Sequence, residues 1–321
     1  MEWKETYEIF PIMVDDSTNL RTVNFYLVKT DQSLVLVDAG IHNEDFMNAL
    51  HKTLYENGFS VEDIAEIILT HNHYDHVGLV NPITEKHPIP VFAHEEAIPR
   101  LKRDRAFMEM RVEFYMKLYK EMGCGEAGDK RVAFLRESIE KNRNQSIHAD
   151  INPIGSSQLG FEVLHVPGHA PDQIALYNEA NQEMIAGDLI IDHISSNALV
   201  EPDHSGERLP TLIQHKKSLE KIRNLNLKQI YPGHGVLIKE PKVLIDRRLG
   251  GIERKAEKFK NLIREGISTG NGLAKSYYKK IYAKQFSLVM SEIIGHLDYL
   301  EANEQIKKEM KNGVWHYSVK E

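Results

Sequence analysis

Short apolar runs separated by polar turns dominate the first 40 residues: Ile9-Phe10-Pro11-Ile12-Met13-Val14, Asn24-Phe25-Tyr26-Leu27-Val28 and Leu34-Val35-Leu36-Val37. Runs of this length between turn residues predict strands of one sheet. From 44 to 57 the period changes, with Phe46, Leu50 and Leu54 four residues apart, which predicts a helix laid on that sheet. Ile67-Ile68-Leu69-Thr70 is short, apolar and partly β-branched, as a buried strand should be. Asn81-Pro82 predicts an N-cap followed by proline at the first helical position, with a short helix to about His87. Pro90-Val91-Phe92-Ala93-His94 predicts the next strand.

Residues 100–146 break this rhythm. They are strongly charged and place Met108, Val112, Tyr115, Tyr119 and Met122 at helical spacing, which predicts a helical insertion. Those side chains either pack the insertion onto the domain or form an adaptable apolar wall for a substrate; both can hold at once. Strands return over 157–177 and at Met184-Ile185-Ala186. Helices then follow: 242–266, closed by Gly266 with Gly250-Gly251 as a candidate break; 271–284, with Leu273, Tyr277 and Ile281 on one face; and 287–302, with Val289, Ile293, Leu297 and Leu300 aligned. Asn312-Gly313 predicts a turn into a last strand over 314–319.

The chemistry concentrates where the strand at 67–70 ends. His71-Asn72-His73-Tyr74-Asp75-His76 holds three histidines and a carboxylate within six positions. Imidazole is a common zinc ligand, and a tight loop can aim His71 and His73 at one ion while Asp75 and His76 turn towards a second. A histidine-rich surface loop is the alternative. Further on, His169 lies in a Pro-Gly turn, Gly187 lets the backbone come close at Asp188, and His193 follows in the next loop as a candidate substrate contact or proton donor. His165 reads as a packed or surface histidine.

With 321 residues, 41% hydrophobic and 27% charged, the composition is that of a soluble globular protein with ample chain for a core. No apolar run approaches the roughly 18 residues that span a bilayer. Residues 1–5 carry acids and lack the basic-then-apolar order of an export signal, so a cytoplasmic location is expected. Cys124 is the one cysteine, which excludes an intrachain disulfide and fits a reducing compartment; it sits between two glycines without a paired base, so a nucleophilic role is not expected. Charge is uneven. Residues 242–284 carry 12 Lys and Arg against 4 Asp and Glu, a net of +8 in a chain of −7. That region can contact phosphates, although Glu253 and Glu257 beside Arg254 and Lys258 also fit a solvated helix face, used for packing or dimerisation.

His71-x-His73-x-Asp75-His76 resembles the signature of the metallo-β-lactamase superfamily, and the later motifs follow in the family's order: Val166-Pro167-Gly168-His169, Ala186-Gly187-Asp188 and Tyr231-Pro232-Gly233-His234-Gly235, with Val37-Asp38-Ala39-Gly40 before them. The resemblance runs from about residue 20 to about 240. It implies an α/β fold, an αββα sandwich over 1–240 with the insertion at about 100–146; the helices and hairpin of 241–321 resemble, by pattern alone, the winged-helix module of one branch. It further implies two zinc ions, with iron or manganese as alternative metals, about 3.5 to 4 Å apart. His71, His73 and His169 would hold the first, Asp75, His76 and His234 the second, and Asp188 would bridge them. Asp75 would also orient a metal-bridging hydroxide and take up its proton. Asp38 would fix a ligand imidazole through a hydrogen bond, or else cap its own loop.

The expected function is therefore a dinuclear zinc hydrolase acting on a small ester, thioester or lactone. Alternatives are a metal-dependent phosphodiesterase or ribonuclease, which the basic tail would serve, and a ligand-sensing DNA-binding protein. A mononuclear iron dioxygenase would use a subset of the same ligands, whereas di-iron redox relatives carry a carboxylate where this chain keeps His73. True β-lactamase activity fits poorly with the lack of an export signal. Expected partners are a small-molecule substrate, nucleic acid through the basic region and a second copy in a homodimer, with no membrane.

Overall fold

A computed structural model describes residues 7–320; the N-terminal segment read for an export signal lies outside them. Six strands form one sheet in sequence order: β1 (Tyr7–Asp15), β2 (Thr22–Thr30), β3 (Leu34–Val37), β4 (Ile64–Ile68), β5 (Val91–Ala93) and β6 (Ile151–Pro153). The first three pair antiparallel and the rest parallel. Pro11 sits in β1, an edge strand, where its missing N–H leaves no neighbour unpaired. The second sheet comprises β7 (Ser157–Gln158), β8 (Phe161–His165), β9 (Ile174–Asn178), β10 (Glu183–Gly187) and β11 (Gln229–Pro232), in the order β11-β10-β9-β8-β7.

Alternation along the strands builds the layers. One face of the first sheet (Tyr26, Val28, Val35, Val37, Ile68) meets one face of the second (Phe161, Ile174, Leu176, Ile185, Tyr231) in a shared core. The opposite face of the first sheet buries Phe25, Leu27, Leu36 and Ile67 against Phe46, Leu50 and Leu54 of the helix Glu44–Glu56. Leu164, Tyr177 and Met184 of the second sheet bury against Leu219 and Ile222 of the helix Thr211–Arg223 and Leu244 and Ile245 of the helix Pro241–Arg264. The result is helix, sheet, sheet, helix. Each fully buried Val, Leu or Ile contributes about 1.5–3 kcal/mol, so these apolar layers are a main source of the sandwich's stability. Among the described residues no helix is long and apolar enough to cross a membrane.

The insertion forms the helices Arg105–Glu121 and Glu126–Lys141. Their apolar positions Val112, Tyr115, Tyr119, Met122 and Val132 share a fourth core with Phe259, Leu273, Ile293, Leu297 and Tyr317 from the C-terminal helices and hairpin, β12 (Ile306–Lys311) and β13 (Val314–Val319). Cys124 is buried there, and burial pushes its thiol up to about 12, which leaves it inert at neutral pH.

Several local expectations differ from the structure. The short helix is Val80–Thr84, so Asn81 lies inside it rather than capping it. Its amide instead reaches across to the chain returning from the insertion, donating to the Ser146 carbonyl and accepting from the His148 N–H. Gly250-Gly251 does not interrupt the helix Pro241–Arg264, which stays continuous because apolar residues on both sides of the pair are buried. The segment 271–284 divides into Gly270–Tyr278 and Lys280–Lys284 at Lys279, whose φ is +47°.

Candidate metal centre

Five chain segments meet at one edge of the sandwich, each leaving a strand: residues after β3, β4, β8, β10 and β11. This is where open parallel strands place ligand-binding loops. The Thr70 carbonyl accepts from Ile174 N, which ties the histidine loop to the second sheet, and Ala39 N donates to the His76 carbonyl at 2.6 Å. Asn72 donates to the buried Asp172, whose carboxyl is pushed up to about 6 by burial against the pull of Arg100. The His234 turn is held from below. Asn24 donates to the carbonyls of Pro232 and Gly235 at 3.0 and 2.8 Å, and its own N–H bonds the Gly233 carbonyl at 2.7 Å.

The histidines are oriented one by one. His169 Nδ1 faces the Asn197 carbonyl at 2.9 Å and His234 Nδ1 faces the Thr22 carbonyl at 2.8 Å. A carbonyl only accepts, so each Nδ1 carries a proton, which leaves Nε2 as the atom each ring would offer a metal. Asp38 does the same for His76, whose Nδ1 lies 2.8 Å from Oδ2. His71 Nδ1 bonds the Thr70 hydroxyl at 3.1 Å, and that hydroxyl donates to Asp38 at 2.8 Å. Asp38 also accepts from the Thr70 N–H at 2.8 Å, from a left-handed backbone with φ +61° that aspartate tolerates. His73 differs by turning Nδ1 inward.

The freed atoms converge. His73 Nδ1 lies 3.0 Å from His71 Nε2 and 2.9 Å from His169 Nε2. Asp188 reaches His76 with Oδ1 at 3.3 Å, and His169 and His234 with Oδ2 at 3.4 and 3.1 Å; Asp75 lies 3.5 Å from His234. Ligand atoms within 4.8 Å of one another define three sets: His71, His73 and His169; Asp75, His76 and His234; and His71, His76 and Asp188. The structure thus brings together all seven side chains expected from the sequence motifs, with Asp188 touching members of both triads.

Electrostatics prepare these groups for a cation. Burial pushes His73 and His169 down to about 4 and His71 well below its ordinary value, so all three are neutral at physiological pH. Burial would lower His76 and His234 as well, but the Asp188 carboxylate outweighs it and raises both; the two histidines hold Asp188 low despite its own burial. His76 Nε2 and Asp188 Oδ1 are buried and face each other at 3.3 Å, with no hydrogen-bond partner of good geometry. Buried orphan atoms of this kind are costly in a native fold unless a further group satisfies them. The neutral nitrogens of His71, His73 and His169, and the carboxylates Asp75 and Asp188 with His76 and His234 beside them, fit one or two divalent cations that would take the place of the protons on the last two rings. Space is cleared for them at Gly233, where a Cβ would fall 2.2 Å from Asp188 Oδ1.

His193, the other expected site residue, bonds the Asn19 carbonyl through Nε2 at 2.8 Å and lies against Gly235. Its loop is clamped by the helix Pro241–Arg264, since Arg248 donates to the carbonyls of Ile191, Asp192 and Ile194. His165 stacks on His94 with centroids 4.1 Å apart.

Sequence reasoning anticipated an apolar wall from the insertion but missed the arginines and the glutamate that back it. A cavity of about 1010 Å³ between the His71–His76 loop and the insertion is lined by His73, Met108, Val112, Tyr115 and several arginines. Glu201, 8% exposed, anchors two of those arginines: Arg111 Nε at 2.8 Å and Arg100 at 3.6 Å, with the Tyr115 hydroxyl at 2.9 Å. Only the apolar spacing of Met108, Val112 and Tyr115 signalled this wall; a lone Glu201 carries no sequence signal.

Comparison with known proteins agrees with this geometry. The family profile described as Metallo-beta-lactamase superfamily matches residues 18–234. The chain is 31% identical over 304 residues to "Probable metallo-hydrolase YqjP" of Bacillus subtilis, covering 94% of each. It is 24% identical over 228 residues to "Atrochrysone carboxyl ACP thioesterase dmxR1" of Cryptosporiopsis, covering 69% of this chain and 51% of that protein. In fold it is similar to a metallo-beta-lactamase family protein from Thermus thermophilus, with TM-score 0.77 at 24% identity over 97% of this chain and 98% of that one. Sequence, fold and histidine cluster agree, and the chain belongs to the metallo-beta-lactamase superfamily as a metallo-hydrolase.

Proposed function

We propose that the chain is a dinuclear zinc hydrolase of a small ester, thioester or lactone. The observation that carries the reading is the pair of ligand triads joined by Asp188, which touches members of both. A closed structural zinc site needs only four ligands, and seven convergent side chains fit two ions better than one. His71, His73 and His169 would hold one ion, Asp75, His76 and His234 the other, and Asp188 both. When bound, such ions bring a water towards neutral-pH ionisation and stabilise negative charge on a reacting oxygen.

The protein's own residues supply the rest. Asp38, Thr70 and the carbonyls of Asn197 and Thr22 fix four imidazole tautomers before any metal arrives. Asp75 is buried beside His234 at 3.5 Å and is the carboxylate placed to accept a proton there. The wall of Met108, Val112 and Tyr115 excludes water along one side of the cavity and favours a partly apolar substrate. The name of the thioesterase relative supports a carbon ester over a phosphodiester.

For the C-terminal segment the reading is a winged-helix-like module, supported by its helices and the β12–β13 hairpin. Its cations are partly engaged within the chain: Lys255 pairs with Glu292, Arg247 with Asp192 at 3.5 Å, and Lys260 with Glu257 at 3.0 Å. These contacts support packing over nucleic-acid binding.

The test is turnover by zinc-loaded protein on a thioester, a lactone, an aryl ester and a bis-aryl phosphodiester. Hydrolysis of a carbon ester that Asp188→Ala abolishes supports the reading. Preference for the phosphodiester would replace it with the nuclease alternative.

A further inference from the structure

Four arginines line the cavity beside His73, and they fall into two pairs. Arg100 and Arg111 both pair with Glu201, and Arg100 also lies 3.9 Å from Glu96. Arg103 and Arg131 differ: among the described residues neither has a carboxylate within ion-pair distance, although the Nε of each, like that of Arg100, is buried without a hydrogen-bond partner. Arg103 donates once, to the Ser138 carbonyl at 3.2 Å, and Arg131 lies over the Phe134 ring at 4.8 Å. Arg131 also lines the smaller cavity of about 200 Å³ that reaches His73 and Pro171. Two guanidinium groups that line a cavity without a carboxylate partner are suited to holding an oxyanion, since the planar fork matches a carboxylate or phosphate. The concentration of cations is notable in a chain of net −7.

We infer that Arg103 and Arg131 bind an anionic group at the end of the substrate remote from the bond that is broken, so that the substrate is an amphiphilic ester or thioester carrying a carboxylate or phosphate. Met108, Val112 and Leu135 line the same cavity and suit an apolar stretch of the substrate. This inference rests on the hydrolase reading for the reacting end and on the arginines for the other. The insertion thereby sets specificity while the sandwich carries the metal ligands.

The test has a binding arm and a turnover arm, both on the metal-loaded full chain. Calorimetry compares hexanoate, hexyl phosphate and the neutral hexanamide on wild type, Arg131→Met, Arg103→Met and Arg131→Lys. Wild type should bind at least one anion about tenfold or more tightly than the amide; each Met variant should lose about tenfold in anion affinity, and Arg131→Lys should recover part of it. The tighter anion identifies the substrate's end group. Equal binding of amide and anions, or anion affinity unchanged in both Met variants, overturns the inference, because the anion would then sit on the metals alone. For turnover, adipyl and hexanoyl thioesters of N-acetylcysteamine are compared as a ratio of kcat/KM. The ratio should favour adipyl in wild type and fall towards one in Arg131→Met. An unchanged ratio in that variant overturns the inference. If neither thioester reacts while the binding pattern holds, the hydrolase reading fails and the anion site stands.

Discussion

Asp38→Asn is the substitution that most sharply separates a metal-tuning network from a structural one. Asparagine keeps the shape and tolerates the left-handed backbone at φ +61°. One amide oxygen can still accept from the Thr70 N–H, but an amide NH2 then faces the Thr70 hydroxyl and His76 Nδ1, both 2.8 Å away. Donor now meets donor. The hydroxyl can rotate, whereas the imidazole can relieve the clash only by moving its proton to Nε2, the atom 3.3 Å from Asp188. The lost charge-assisted bond costs about 1.5–3 kcal/mol, and the tautomer switch withdraws a ligand lone pair. Metal affinity should fall about 10- to 100-fold, equivalent to about 1.4–2.7 kcal/mol. Chelator competition with a zinc indicator measures this directly, alongside kcat on the preferred ester. Affinity and kcat both within twofold of wild type would refute the tautomer argument, and a loss of folding without a change in metal affinity would mark Asp38 as a loop cap.

Three further outcomes are expected. Gly233→Ala places a methyl 2.2 Å from Asp188 Oδ1 and 2.7 Å from His76 Cε1, so metal stoichiometry should drop even where circular dichroism shows a folded chain; full metal content would contradict the close approach. Glu201→Gln strips the counter-charge from Arg100 and Arg111, and should cost about 3 kcal/mol in urea denaturation, with a loss under 1 kcal/mol counting against the network. His215 is buried and held down to about 3 by that burial. As pH falls below 6.5 the unfolded chain takes up a proton that the native ring refuses, so stability falls by about 1.4 kcal/mol per pH unit and by about 2 kcal/mol at pH 5. His215→Gln should flatten the stability curve between pH 7 and 5 relative to wild type, and parallel curves would contradict the assignment.

What the chain discloses without a structure follows the range of the interactions involved. His71, His73, Asp75 and His76 are legible because one short loop places them, and the strand ahead of them is marked by its apolar run. His169, Asp188 and His234 stand in short turns with Pro or Gly, whose backbone demands are visible locally. Their orienting partners are not: the carbonyls of Thr22 and Asn197 leave no residue-type signature, because any residue supplies a carbonyl. Asn81 misleads for the opposite reason, since its amide spends its capping capacity on Ser146 and His148, more than 60 positions away. The insertion was readable as helical from its period, but not the charge pairing of Arg111 with Glu201, 90 residues on. Lys279 breaks its helix without a glycine to announce it.

Elemental analysis of purified wild type beside Asp188→Ala tests the dinuclear centre most directly. About two zinc per chain in wild type, falling to one or fewer in the variant, is the predicted result. A single tightly held iron in both proteins, or zinc content unaffected by loss of Asp188, would contradict it.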